Sequence, residues 1–229
     1  MFPAFFSLQE RRKRFVEKLL LETIIDISYK DRYGKLIRIG TASRVGYELG
    51  LGVNHLFIDT TSRKFRSSDF IAKSVLTGRH TKICKQDIRR DDLRDLAVFK
   101  IDPRIFPSRS YLRIASNKPV PRSLVAIPDA RSTPTNFRWG SVIEAVDEDN
   151  TPKAAVTLNV ATDPGMSGAP CVNIRGQIVT IVSTGKPESR SGVFCAKTFG
   201  ADGFDIESLV AEAREEFSPP SLWKHLGLH

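Results

Sequence analysis

The sequence predicts an all-β fold of two antiparallel barrels, with one helix at each end of the chain. Short segments rich in β-branched and aromatic residues recur along most of the 229 residues, and turn residues separate them. Residues 102–122 contain four prolines together with several serines and arginines, and they divide these segments into two groups. Regularly spaced short strands that a linker splits into two groups are typical of a pair of barrels.

The first predicted element is a helix over residues 8–27. Val16, Leu20 and Ile24 recur four residues apart, which places them on one helical face. The motif ERRKR, residues 10–14, gives the first half of this helix a dense positive charge. Two interpretations stay open: the helix packs on the domain with its basic face in solvent, or it contacts a membrane surface.

Strand patterns begin after the motif KDRYG, residues 30–34. The turn NIRG, residues 173–176, is expected to close a hairpin, and the tail 221–229 is expected to be loosely held. A C-terminal helix is predicted over residues 204–217, with Asp205 as its N-cap. The predicted strands cover residues 35–40, 70–76, 81–87, 96–101, 123–129, 138–146, 154–161, 177–183 and 193–199.

These elements divide the chain into five predicted segments. A basic helical segment comes first, and two barrels with a linker between them follow. A helix and tail complete the chain. The boundaries are 1–30 for the N-terminal basic helix, 31–105 for the first barrel, 106–122 for the linker, 123–200 for the second barrel and 201–229 for the C-terminal segment.

The composition predicts a reduced, cytosolic protein with a basic surface. Thirty-five Lys and Arg against 26 Asp and Glu give a net charge of +9, which favours polyanionic partners, RNA above all. The sequence has three cysteines, which are too few for a disulfide framework: Cys84, Cys171 and Cys195. It contains no CxxC motif, so a structural zinc site is not expected. We expect neither a signal peptide nor a membrane span.

The motif ATDPGMSGAPCV, residues 161–172, places Ser167 among small residues between two apolar segments. Such residues also form ordinary turns, so a nucleophile needs a base and a carboxylate elsewhere in the chain. His55 follows a predicted strand, Asp95 opens another, and His80 is an alternative base. Because His55 and Asp95 fall in the first predicted barrel and Ser167 in the second, a cleft between the barrels would bring them together.

Three motifs carry a resemblance to a known family. They are TDPGMSGAP (162–170), RDLAVF (94–99) and GQIVTIVSTG (176–185). Through them the region 35–200 resembles the chymotrypsin-like serine proteases of positive-strand RNA viruses, of the astrovirus and sobemovirus type. The resemblance implies two six-stranded barrels and a serine endopeptidase that cleaves a viral polyprotein in the host cytoplasm.

The same resemblance implies a role for each candidate catalytic residue. Ser167 would attack the scissile carbonyl, His55 would take its proton, and Asp95 would orient the imidazole. The backbone N–H groups of Gly165 and Ser167 would bind the oxyanion. This chemistry requires no metal or organic cofactor.

Substrate-binding residues follow from the resemblance as well. Thr162, five positions before the nucleophile, fits the threonine with which related proteases recognise Gln or Glu on the acyl side of the cut. Val182 occupies the position of the histidine with which those proteases also recognise this side chain, and a valine side chain cannot donate a hydrogen bond. We therefore expect the protease to prefer Glu or Gln on the acyl side of the cut, with Lys186 or Arg190 favouring the acidic or amide side chain. A preference for a medium-sized hydrophobic residue is the alternative. An extended substrate would pair with the edge formed by Ser183, Thr184 and Gly185.

Two other functions remain compatible with the sequence. The basic N-terminal helix favours an RNA-binding module, although no RNA motif with interleaved aromatic residues occurs. A barrel that has lost catalysis and only binds partners is the other alternative.

Overall fold

Two curled β-sheets form half-barrels with a helix at either end, which confirms the predicted fold class. The computed structural model describes residues 7–59, 61–146, 155–190, 193–199 and 203–217. The predicted tail over residues 221–229 lies outside them. Two buried hydrophobic clusters form the core, and the larger one extends from the first sheet into the second.

The first sheet has seven strands, in the order β5-β4-β1-β2-β3-β7-β6. All neighbouring strands in it are antiparallel. The strands are β1 (Ile24–Lys30), β2 (Leu36–Arg44), β3 (Leu49–Val53), β4 (Asp69–Ser74), β5 (His80–Cys84), β6 (Ile88–Asp91) and β7 (Leu96–Lys100).

The second sheet has six strands, in the order β11-β10-β9-β12-β13-β8, and a separate hairpin of β14 and β15 follows it. The predicted turn at 173–176 closes the β12–β13 hairpin through a bond from Gly176 N–H to Asn173 O. The strands are β8 (Arg113–Ile114), β9 (Leu124–Asp129), β10 (Asn136–Val146), β11 (Ala155–Leu158), β12 (Pro170–Asn173), β13 (Gln177–Ile181), β14 (Thr184–Arg190) and β15 (Val193–Phe199).

The expectation of two antiparallel six-stranded barrels is wrong in two details. The first sheet gains a seventh strand because Ile24–Lys30 is extended, although its first residues were predicted to be helical. In the second sheet, Arg113–Ile114 pairs parallel with β13, so the Pro-rich segment contributes a strand and the sheet is mixed.

Helix α1 (Leu8–Thr23) begins at a capping box and ends four residues earlier than predicted. Ser7 and Glu10 exchange side-chain to backbone hydrogen bonds of 2.7 and 3.2 Å, which satisfy N–H groups that the first turn leaves free. The sequence Thr23-Ile24-Ile25 then places three β-branched residues in a row. Such residues favour extended backbone, and the chain enters β1.

Helix α1 packs on the second sheet before the chain enters the first. Val16 and Leu20 are fully buried, as the periodicity predicts. Glu17 accepts a 2.9 Å hydrogen bond from the Trp139 indole on β10, and Lys13 lies over the Trp139 ring. Within the described residues, neither helix is long and apolar enough to cross a membrane.

Helix α2 (Gly203–Phe217) closes the far end of the fold. It begins at Gly203, so Asp205 lies inside the helix and is not its N-cap as predicted. Arg89 on β6 binds Glu212 and Glu216 of this helix. Its buried face adds four residues to the larger hydrophobic cluster: Ile206, Leu209, Val210 and Ala213.

A fully buried arginine, Arg44 at the end of β2, attaches the inter-sheet segment to the first sheet. Its guanidinium donates to the carbonyls of Gly46, Tyr47, Ser108 and Ser110. Backbone acceptors thus offset the cost of burying the charge. Burial lowers the pKa of Arg44 from its usual value.

Candidate active site

His55 and Asp95 form a two-point hydrogen-bonded pair at one end of the first sheet. His55 lies in a short 3₁₀ turn, Asn54–Leu56, directly after β3, and Asp95 directly precedes β7. Because Val53 of β3 pairs with Leu96 of β7, the sheet register sets the two residues side by side. The Asp95 carboxylate is 2.8 Å from His55 Nδ1 and accepts the His55 backbone N–H at 2.9 Å.

Asp95 is held in a conformation and a charge state suited to orienting a histidine. Its φ of +54° lies in the left-handed region, which aspartate tolerates better than most residues. Burial alone would raise the pKa of Asp95, but hydrogen bonds from His55 and Ser183 outweigh it, and the net shift is downward. The carboxylate therefore stays ionised at neutral pH and accepts both bonds from His55.

Ser183 contacts the same carboxylate, which the sequence reasoning did not foresee. Its hydroxyl donates to Asp95 Oδ2 from the loop that follows β13. The sequence placed Ser183 on the edge that pairs with substrate, and that role stays a prediction for its backbone. A serine two residues past a strand carries no local signal for such a contact, because the two residues are 88 positions apart.

Ser167 lies half-buried in the nucleophile loop, which we define as residues 161–168. Its carbonyl accepts the Thr41 N–H of β2 at 2.9 Å, and the Gly168 N–H donates to Val182 O at 2.7 Å. A Cβ at Gly168 would lie 2.0 Å from Thr41 O, and its φ is +83°. Only glycine fits this position, which explains one of the small residues around Ser167.

Two backbone N–H groups in the nucleophile loop are available for an oxyanion. Within the part of the chain that the structure describes, the N–H groups of Gly165 and Ser167 have no hydrogen-bond acceptor. The Met166 N–H between them donates to Asp163 O at 3.0 Å. The pair with free donors is therefore the pair that the sequence analysis assigned to the oxyanion.

The loop and the His55–Asp95 pair meet through Leu56. A Cβ at Gly40 would lie 2.5 Å from the Leu56 side chain and 2.7 Å from Ser167 O, so Leu56 and Ser167 are neighbours across Gly40. Among the described residues, Ser167 Oγ makes no hydrogen bond to His55. Catalytic hydrogen bonds of this kind are often long in enzymes without substrate and shorten when it binds.

His80, the alternative base, lies elsewhere. It is exposed at the start of β5, which is an edge strand of the first sheet, and β4, β1 and β2 separate β5 from β3. Within the described ranges it has no carboxylate partner. The geometry favours His55 over His80.

The predicted acyl-side pocket combines an unpartnered hydroxyl with apolar and paired residues. The Thr162 hydroxyl is buried and has no hydrogen-bond partner among the described residues. Val182 is buried, and the carbonyl of exposed Ala161 accepts a bond from Arg138. Gly185 lies in β14 opposite Thr198. The side chains of Lys186 and Arg190 lie outside what the structure describes.

Two half-barrels that join a His–Asp pair on one side to a serine loop on the other define the chymotrypsin-like class of serine peptidases. The family model for the trypsin-like peptidase domain matches residues 40–181, more than half of the chain. The chain belongs to this family, and a polypeptide is accordingly its class of substrate. All three candidate triad residues lie inside the matched region.

Two solved protease structures are similar to this fold. A serine endoprotease from Yersinia pestis superposes with a TM-score of 0.66 at 14% identity, over 94% of this chain and 69% of that one. The active form of the Rv3671c protease from M. tuberculosis gives a TM-score of 0.67 at 13% identity, over 93% of each chain. At these identities the likeness shows the fold alone. A search of curated protein sequences finds no significant match.

Proposed function

We propose that this protein is a serine endopeptidase with Ser167 as nucleophile, His55 as general base and Asp95 as the residue that orients His55. The two-point bond between Asp95 and His55 carries the proposal, because it fixes the imidazole with Nδ1 toward the acid. Nε2 is then left to face the substrate and the nucleophile. The N–H groups of Gly165 and Ser167, which have no acceptor in the described part of the chain, supply the donors that the oxyanion needs.

The reaction follows from this arrangement in two halves. Ser167 Oγ bonds to the scissile carbonyl carbon while His55 Nε2 takes the hydroxyl proton, and the carbonyl oxygen gains the negative charge. The C–N bond then breaks as His55 returns the proton to the leaving amine. Water, deprotonated by His55, attacks the carbonyl carbon of the acyl-enzyme. The C–O bond to Ser167 then breaks as His55 returns that proton to Ser167 Oγ, which releases the acid product and regenerates the free serine and the neutral histidine.

The proposed substrate is a viral polyprotein in the host cytoplasm, from which the protein would also excise itself. The resemblance of TDPGMSGAP and GQIVTIVSTG to proteases of positive-strand RNA viruses supports this assignment. The division into segments 1–30, 31–105, 106–122, 123–200 and 201–229 also stays a prediction.

The acyl-side specificity is predicted to be Glu or Gln. The Thr162 hydroxyl has no partner among the described residues, so its hydrogen-bonding capacity is unused, and we infer that a substrate amide or carboxyl group uses it when the substrate binds. Thr162→Val keeps the shape and removes the hydroxyl. We expect it to weaken the Glu or Gln preference about tenfold, because a site built for a polar group discriminates through that bond.

A peptide-library cleavage profile of the wild type and Thr162→Val measures this preference. If the wild type prefers a medium-sized hydrophobic residue and Thr162→Val has the same preference, the Thr162 hydroxyl does not recognise the substrate side chain. A clear preference for Lys or Arg would contradict both alternatives, because Asp163, the nearest acid in the loop, is already paired with Arg131 and Arg138.

RNA binding through helix α1 is the second candidate function. Arg11, Arg12 and Lys18 are exposed on this helix, and the chain is basic overall. Part of the charge is already engaged, since Lys13 lies over Trp139 and Lys18 is near Glu22. The helix also buries its apolar face on the second sheet, so its packing accounts for its presence without a partner.

Covalent labelling with a serine-directed fluorophosphonate tests the proposed function. We expect the wild type to be labelled at Ser167, as mapped by peptide mass spectrometry, because a base-activated serine beside free N–H donors traps the phosphonyl group. Ser167→Ala should not be labelled. Labelling that persists in Ser167→Ala would disprove the assignment, and an unlabelled wild type would favour a binding function.

A further inference from the structure

Arginines from outside the nucleophile loop bind three of its backbone carbonyls. The three arginines come from three different places in the fold, namely β2, the β9–β10 turn and β10. Each one uses Nη1 for the carbonyl. The bonds are Arg38 to Gly165 O (3.1 Å), Arg131 to Pro164 O (3.1 Å) and Arg138 to Ala161 O (2.8 Å).

Arg131 is itself fixed by two aspartates. Its Nε and Nη2 donate to the two carboxylate oxygens of Asp129 at 2.8 and 2.7 Å, and Nη2 also contacts Asp163 at 2.7 Å. Asp129 is buried, and hydrogen bonds from Arg131 hold its pKa well below the usual range. A planar guanidinium with Nε and Nη2 committed to Asp129 can point Nη1 in only one direction, and Pro164 O lies there.

The bond to Pro164 O determines where the Gly165 N–H points. The Pro164–Gly165 peptide bond is trans, and in a trans peptide the C=O and N–H lie in the peptide plane and point in opposite directions. With its carbonyl turned toward Arg131, this peptide directs the Gly165 N–H away from Arg131. Among the described residues that N–H has no acceptor.

We propose that Arg131 is a positioning residue that holds the oxyanion site in its working orientation by binding Pro164 O. The inference rests on the proposed function, since it assigns Gly165 N–H to the oxyanion. Gly165 has a φ of +92°, and glycine permits several backbone orientations, so the peptide could rotate without the restraint. After rotation the Pro164 carbonyl would face the oxyanion position, where its negative end repels the developing charge.

The loop itself contains no charged residue next to the nucleophile that could supply this restraint. The residue before Ser167 is Met166, which is fully buried and apolar. Its Sδ accepts the Asp163 N–H at 3.4 Å, which is a weak contact. Among the described residues, the Pro164–Gly165 peptide has one hydrogen-bond partner, Arg131, which lies 33 positions away in sequence from Pro164.

Steady-state kinetics of Arg131→Met test the proposal. We expect kcat to fall about 10- to 100-fold, because outright loss of one oxyanion donor costs about 10²- to 10³-fold and Arg131 acts on that donor indirectly. KM should change little, since the pocket and the substrate-binding edge keep their residues. Arg131→Lys retains the positive charge but lacks the planar guanidinium with its several donors, so its kcat should be intermediate. Low-millimolar guanidinium chloride should partly restore the kcat of Arg131→Ala, and sodium chloride at the same concentration should not.

Arg138→Met is the matched control. Arg138 binds the same two aspartates but donates to Ala161 O, so its loss disturbs the ion pairs without freeing the Pro164–Gly165 peptide. We expect a smaller loss of kcat than in Arg131→Met. Arg104→Met removes an exposed pair with Asp102 elsewhere and should leave kcat unchanged. Thermal unfolding of each variant shows whether it is folded.

The outcomes separate this inference from the proposed function. Wild-type kcat in folded Arg131→Met, or an equal loss in Arg138→Met, would overturn the role of the Pro164 bond while Ser167 labelling still supports the peptidase. If the wild type is neither labelled nor active, the proposed function and this inference fail together. Should Arg131→Met not fold, the intermediate kcat of Arg131→Lys and the guanidinium response decide the matter.

Discussion

Alanine at position 55 should lower kcat/KM for a peptide substrate by about 10⁴- to 10⁶-fold and leave the fold intact. His55 is the only histidine of the described residues that contacts a carboxylate, so its removal leaves Ser167 without a base. Ser167→Ala should cause a loss of similar size. The double variant should be little worse than the poorer single one, because residues that act as a unit do not contribute additively.

His80→Ala is the matched control for this experiment. His80 is exposed at the start of β5 and should be replaceable without loss of turnover. Rates are measured with the same peptide and the same active-site concentration, and circular dichroism checks that each variant is folded. Near wild-type activity in His55→Ala together with an inactive His80→Ala would reverse the assignment of the base.

The sequence was informative wherever one local feature determined the structure. The position of His55 after β3 and of Asp95 before β7 followed from apolar strands that begin or end at a polar residue. The glycine that flanks Ser167 on its C-terminal side followed from turn chemistry, and the structure supplies the reason in the close approach of Thr41 O to Gly168. Features of this kind involve residues near one another in the chain.

Competing local preferences explain the errors. The apolar spacing of Val16, Leu20 and Ile24 continues past Thr23, so periodicity alone extends the helix into β1. The β-branched run there, together with pairing to β2 and β4, overrides that pattern. Likewise, the two residues of β8 are too few to show a strand pattern, and only their pairing with β13 reveals the strand.

Contacts between distant residues could not be predicted at all. Ser183 reaches Asp95 only because the two sheets fold against one another. Arg131 reaches Pro164 only because the second sheet brings the β9–β10 turn close to the loop between β11 and β12. A serine or an arginine in a loop has the same local sequence signal whether it binds solvent or a catalytic residue. Residues proposed to hold a site in position are therefore found from the structure, while candidates for the reacting residues can be proposed from the sequence.

Asparagine at position 95 should lower kcat by about 10⁴-fold, because an amide cannot accept at both of the positions that the carboxylate uses. One oxygen of Asp95 accepts the His55 backbone N–H, and the other faces His55 Nδ1 and the Ser183 hydroxyl. In either orientation of the amide, its NH₂ group faces a hydrogen-bond donor, which is either the His55 backbone N–H or the His55 Nδ1–H and Ser183 hydroxyl. The favoured response is a histidine that carries its proton on Nε2, where it can no longer accept the proton of Ser167.

Two further variants distinguish this orienting role from a general need for negative charge. Ser183→Ala removes one donor to Asp95 and should cost about 10- to 100-fold, the usual range for a single hydrogen bond to a charged group. Asp92→Asn changes a nearby, half-exposed acid whose partners among the described residues are the Asn54 amide and Arg90, and it should stay close to wild type. If Asp92→Asn lost as much activity as Asp95→Asn, the acidic cluster as a whole would be responsible, and the specific bond from Asp95 to His55 would not explain the rate.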